Sequence, residues 1–244
     1  MRRRRPYRYF TLLTLLLAAL GSSTLGAAVL EKTTQIGGTT VQYRVVLPNG
    51  YDPNKAYPAV LAFGGGPQTI DGVDNLIARN FREQAEQRGY IVVAPAAPAG
   101  QLFFEGGERI FPAFLDQILK DYRIEDGKFH AAGPSNGGIS AFQVAYKNPQ
   151  YFLSITGFPG LMRLETPEHI QAISRMCIHM FVGELDPLGW QDLMRAQTAD
   201  FQAHGLSATF AIEPGQPHRL ETLAGPASSR LFDLFDAARH GCSR

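Results

Sequence analysis

Gly133-Pro134-Ser135-Asn136-Gly137 lies between an apolar run and a stretch with helical spacing, and it constrains the fold more than any other segment. A G-x-S-x-G pattern at a strand-to-helix junction makes a very tight turn, and a Cβ two residues before or after the serine would strike its surroundings. The serine hydroxyl then stands clear of a sheet, above a helix N-terminus whose free N–H groups favour negative charge. A plain helix N-cap is the other role open to Ser135. A five-residue pattern takes its meaning from what flanks it.

Here the flanks repeat. Apolar strand-like runs are expected at 29–36, 39–47, 57–63, 90–94, 128–132, 151–156, 177–182 and 206–212. The first two surround Gly37-Gly38 and read as a hairpin. Helical spacing is expected at 71–88, 110–122, 136–147, 167–175, 190–204 and 220–239, with Gly89 as a helix stop. From residue 57 onward strands and helices alternate. That pattern predicts an α/β fold: a mostly parallel sheet of about eight strands, an N-terminal antiparallel hairpin at its edge, and helices on both faces. No internal repeat, linker or compositional break divides the chain after residue 28, which predicts one domain over 28–244.

In such sheets reactive groups collect beyond the carboxyl ends of the strands. Ser135 follows one expected strand, Asp186 follows 177–182, and His218 follows 206–212. Serine needs a base to take its proton as it attacks, and histidine held by a buried carboxylate supplies one. Glu184 and Asp192 compete with Asp186 for the acid. His130, His169, His179, His204 and His240 compete with His218, but none follows an expected strand after the acid.

The order serine, acid, histidine, together with the elbow, Gly183-Glu184-Leu185-Asp186-Pro187 and Pro214-Gly215-Gln216-Pro217-His218, resembles the α/β-hydrolase fold esterases over essentially the whole chain after residue 28. Within that group it is similar to secreted feruloyl esterases and polyhydroxybutyrate depolymerases. The resemblance implies a Ser135–His218–Asp186 triad, an acyl-enzyme, and an oxyanion hole from the Asn136 N–H and a second N–H after residue 63. Members usually carry His-Gly at that strand end, whereas this chain has Phe63-Gly64, a departure that removes a polar side chain supporting the loop. Matching Phe63 to that histidine makes Gly65 the second donor, with Gly66 beside it. Phe103, Phe104 and Trp190 are expected near the same sheet edge, either as a substrate pocket or as ordinary packing.

Only about 20 residues separate the strands at 151–156 and 177–182, room for one helix and no large lid. An open site suits a small-molecule or polymer-linked ester, such as a polysaccharide ester or a polyester. A serine peptidase of the prolyl-oligopeptidase kind shares the fold and residue order, and a non-catalytic ligand-binding relative is a third reading. No metal-ligand spacing and no Gly-x-x-x-x-Gly-Lys phosphate loop is present, so no cofactor is expected.

The N-terminus has its own composition. Arg2, Arg3, Arg4, Arg5 and Arg8 precede an apolar run at 11–20 and small residues through Ala28, the three-part pattern of a signal peptide over 1–27. The run falls short of the roughly 20 residues of a membrane span, so the expected location is secreted or periplasmic with no stable membrane anchor. Removing five arginines turns a formal charge of +1 into about −4, which argues against a nucleic-acid partner. An oxidising compartment permits a disulfide between Cys177 and Cys242, the two cysteines of the chain.

Overall fold

The computed structural model describes residues 28–242; the signal-peptide expectation falls outside them. Eight strands form one sheet: β1 (Ala28–Ile36), β2 (Thr39–Leu47), β3 (Tyr57–Ala62), β4 (Ile91–Pro95), β5 (Ile124–Gly133), β6 (Phe152–Gly157), β7 (Cys177–Gly183) and β8 (Ala208–Glu213). Their spatial order is β1-β2-β4-β3-β5-β6-β7-β8. β1 and β2 pair antiparallel through a turn in which Gly37 and Gly38 take φ of 55° and 82°. β2 also meets β4 antiparallel, and every pair from β4 to β8 is parallel.

Both faces of the sheet are covered. Seven α-helices lie among the described residues: α1 (Ile70–Leu76), α2 (Arg82–Arg88), α3 (Ala113–Asp121), α4 (Asn136–Lys147), α5 (Pro167–Ala172), α6 (Trp190–Ala203) and α7 (Ser229–Arg239). Successive strand residues point to opposite faces. Accordingly Ala59, Leu61 and Val93 join Phe114, Phe142 and Phe201 in one core, while Val60, Ala62 and Val92 join Val73, Phe81, Phe232 and Phe235 in the other. The near-continuous apolar strands are those of a sheet buried on two sides.

Four expected helices differ in the structure, the one at 110–122 in that α3 begins only at Ala113. The segment at 71–88 is interrupted by a π turn at Ile77–Phe81. The extra residue of that turn lets Ile77 and Phe81 stay buried while Arg79 and Asn80 reach the carbonyls of Leu220 and Leu223, at 2.9 and 2.7 Å. Glu221–Leu223 and Gly225–Ser228 form two short 3₁₀ turns, because Gly225 adopts φ of 54° and Pro226 has no N–H to donate, so α7 begins only at Ser229. The helix expected at 167–175 stops at Ala172. Gly89 does end α2, with φ of 79°. α5 is the one α-helix between β6 and β7.

A disulfide joins Cys177, at the start of β7, to Cys242 beyond α7. No helix among the described residues is long and apolar enough to cross a membrane.

Candidate active site

Ser135 links β5 to α4 with φ of 56° and ψ of −124°. A side chain rarely adopts such a backbone, and it persists only where the surroundings fix it. Ser135 N–H donates to the Pro159 carbonyl at 2.6 Å, and Gly137 N–H to that of Pro134 at 2.8 Å. The two glycines are required by close approach: a Cβ on Gly133 would lie 2.5 Å from the Phe63 oxygen, and one on Gly137 only 2.1 Å from it. The turn after β5 and the loop after β3 are therefore pressed together, backbone on backbone.

Beyond β7, the Asp186 side chain is fully buried. Its Oδ1 accepts the Leu188 N–H at 2.9 Å and its Oδ2 meets His218 Nδ1 at 2.7 Å. Of the three candidate acids Asp186 is the one that reaches the histidine. Glu184 instead accepts the Gly215 N–H at 2.7 Å and braces the loop that carries His218. That loop is fixed further by Leu185 N–H donating to the Gln216 carbonyl and by a two-pronged contact of Arg230 with Glu213, at 2.8 and 2.9 Å. The guanidinium holds the Glu213 carboxyl below the usual carboxylate range. His218 Nε2 is buried and has no hydrogen-bond partner among the described residues.

Ser135 and His218 line one cleft of about 540 Å³, together with Gly65, Gly66, Pro134 and Phe158. The other histidines lie elsewhere. His130 bonds Ser154, His169 the Leu164 carbonyl, His179 the Thr209 hydroxyl and His204 the Asp200 carbonyl, while His240 borders a smaller cavity. The remaining cleft wall comes from Gly72, Asn75 and Leu76 of α1, Arg79 and Asn80 of the π turn, and Arg219 and Leu220 in the loop after β8. Its charged side chains are two arginines. Arg79 is paired with Glu221 at 2.7 Å, whereas Arg219 is no nearer than 4.0 Å to the same carboxylate.

Gly65 lies against the elbow, where a Cβ on it would be 3.1 Å from the Pro134 oxygen and 3.7 Å from Ser135 Cβ. Neither its N–H nor that of Asn136 has an acceptor among the described residues. The Asn136 side chain donates to the Gly66 carbonyl at 2.9 Å.

The three aromatic residues expected beside the site, Phe103, Phe104 and Trp190, are not among those lining this cleft. Phe103 is fully buried, 5.4 Å from the Phe63 ring and 5.9 Å from that of Phe111, so it belongs to the core. Phe63 itself supplies the apolar surface that draws it in. Phe104 lies under the Arg163 guanidinium. Trp190 also stays outside the lining but meets the His218 ring edge-on at 5.4 Å. Sequence reasoning missed Arg79, Asn80 and Gln68; Gln68 is a fully buried side chain bonded to both the β3 loop and α4. Among the described residues no three His, Cys, Asp or Glu side chains are grouped to hold a metal ion.

Comparisons with known proteins fit this geometry at the level of the fold. No protein-family model matches the chain. A dipeptidyl-peptidase 5 of Porphyromonas gingivalis is 35% identical over 146 residues, which is 55% of this chain and 21% of the peptidase. The match thus spans about a fifth of that relative. Among solved structures, an S-formylglutathione hydrolase of Agrobacterium tumefaciens superposes with a TM-score of 0.66 at 15% identity, covering 89% of this chain and 95% of the other. A feruloyl esterase module of Clostridium thermocellum gives 0.63 at 16% identity, covering 88% of each. The chain has the α/β-hydrolase fold.

Proposed function

We propose that the chain is a serine hydrolase of carboxylic esters that works through a covalent acyl-enzyme. The observation that carries this reading is the buried His218 Nε2, left without a partner in the cleft that Ser135 lines, while Nδ1 is held by buried Asp186. Ser135 Oγ attacks the ester carbonyl carbon as its proton passes to His218 Nε2. The oxyanion is held by the N–H groups of Gly65 and Asn136, which are otherwise unengaged. When the tetrahedral intermediate collapses, the C–O bond to the alcohol breaks and the Nε2 proton goes to the departing oxygen. Water, deprotonated by the same nitrogen, then releases the acid and frees Ser135. Asp186 fixes the imidazole tautomer and balances the imidazolium.

The cleft favours esters over peptides with a free N-terminus. Holding an α-ammonium calls for a carboxylate, and the lining offers arginines instead. The peptidase reading draws support from the dipeptidyl-peptidase relative and stands as the second one. The leader over 1–27 and the disulfide fit an exported enzyme acting on extracellular esters, as a single catalytic domain over 28–244.

The test uses the chain without its leader. It should release p-nitrophenol from the acetate and butyrate esters and bind a fluorophosphonate probe, and Ser135→Ala should abolish both. An unlabelled, inactive wild type overturns the hydrolase reading. Faster cleavage of a dipeptide amide than of the esters puts the peptidase first.

A further inference from the structure

Gln68 lies five residues beyond Phe63, fully buried, with φ of 54°. Each of its polar atoms is engaged. Nε2 donates to the Gly64 carbonyl at 3.1 Å, to Ser140 Oγ at 2.8 Å and more distantly to the Asn136 carbonyl at 3.4 Å. Oε1 accepts the Phe103 N–H at 3.0 Å, the main-chain carbonyl accepts the Ala97 N–H, and the main-chain N–H donates to the Gly65 carbonyl. Ser140 Oγ in turn donates to the Asn136 carbonyl at 2.8 Å. One side chain therefore ties together the β3 loop, the N-terminal part of α4 and the loop after β4.

The bond to Gly64 has a specific consequence. The Gly64 carbonyl and the Gly65 N–H belong to one planar trans peptide, in which C=O and N–H point in opposite directions. Holding the oxygen fixes where the hydrogen points. We propose that Gln68 is the positioning residue of the oxyanion hole, aiming the Gly65 N–H through the Gly64 carbonyl and replacing the polar side chain absent at Phe63. The proposal rests on reading the cleft as an ester-hydrolase site. Phe63 has joined the aromatic core with Phe103 and Phe111, so the loop takes its polar anchor from further along the chain. Gly64, Gly65 and Gly66 have no side chains to brace the loop themselves. An unaimed N–H forfeits transition-state stabilisation, because the loop would have to reorganise during the reaction.

Two variants test this with p-nitrophenyl acetate at a temperature where circular dichroism shows both folded. Gln68→Met keeps the length and removes the hydrogen bonds. Its kcat should fall about 10- to 100-fold, with KM within about twofold of wild type. Inhibition by a trifluoromethyl ketone, which forms a tetrahedral adduct, should weaken in parallel. Gln68→Glu keeps the acceptor for Phe103 but turns a second oxygen toward the Gly64 carbonyl. Burial raises the carboxyl pKa, and only the protonated acid can donate there. The wild-type-to-variant ratio of kcat should therefore shrink from pH 9 to pH 6. A kcat within twofold of wild type in folded Gln68→Met overturns the proposal, as does a Gln68→Glu ratio that does not change with pH. If Gln68→Met does not fold, the Gln68→Glu profile decides alone. Both outcomes presuppose an active wild type; an inactive, unlabelled wild type fails the hydrolase reading instead.

Discussion

Gly137 is the residue at which the two halves of the site meet. A Cβ there would face the Phe63 and Gly64 oxygens at 2.1 and 2.7 Å, and both are backbone atoms that cannot rotate away. Gly137→Ala must push the β3 loop off the elbow, and overpacking of this kind costs about 1–3 kcal/mol. Since the displaced loop carries Gly65, kcat should fall at least about 100-fold, the range for losing an oxyanion donor. Gly65→Ala is a milder test of the same contact. Its Cβ would sit 3.1 Å from the Pro134 oxygen and its φ is not left-handed, so a small local shift accommodates it. We expect Gly65→Ala to keep the wild-type melting temperature within a few degrees while losing less activity than Gly137→Ala. Equal activity of Gly137→Ala and wild type on p-nitrophenyl acetate would show that the loop and the elbow need not touch.

At the scale of elements, period-two and period-3.6 patterns located the eight strands and placed Ser135, Asp186 and His218 beyond β5, β7 and β8. These features are local, so they are written in consecutive residues. What escaped depends on distant partners. The π turn exists because Arg79 and Asn80 find the carbonyls of Leu220 and Leu223 some 140 residues away. Of the two roles open to Phe103, packing is the one it takes, because Phe63 and Phe111 are there to receive it. Gln68 carries no motif, and its partners Ser140 and Phe103 are 72 and 35 residues along the chain. The disulfide belongs to the same scale, spanning 65 residues from the start of β7 to the segment past α7. Closing a loop of that length contributes on the order of 4 kcal/mol in the chain-entropy model. Cys177 begins β7 and Asp186 lies past its other end, about 20 Å away at the rise of a strand. Replacing both cysteines by serine should lower the urea midpoint and leave kcat unchanged wherever the chain is folded. A loss of kcat in a fully folded double variant would mean that the bridge fixes the acid as well as the fold.

The whole molecule responds to pH through a group far from the cleft. His130 lies on β5, the strand that leads to Ser135, but on the face covered by α7. Its ring stacks on Phe235 at 4.9 Å, with Tyr90 beside it. Burial, aided by the charge of Arg239 and opposed by Asp236, pushes its pKa down to about 3. In the unfolded chain a histidine titrates near 6.5. Between those values the unfolded chain holds a proton that the folded chain lacks, so stability falls as pH drops below about 6.5. The slope approaches about 1.4 kcal/mol per pH unit from this residue and levels off below the folded value. Thermal melts should therefore show the midpoint dropping steadily from pH 7 to pH 4.5. His130→Gln removes this titration and keeps that of His179, which burial pushes down to about 4, so its melts should still fall but be flatter over that range, and the difference between the two slopes is the quantity that tests the argument. Parallel slopes would mean that His130 takes up its proton without unfolding, which requires water to reach β5 beneath α7.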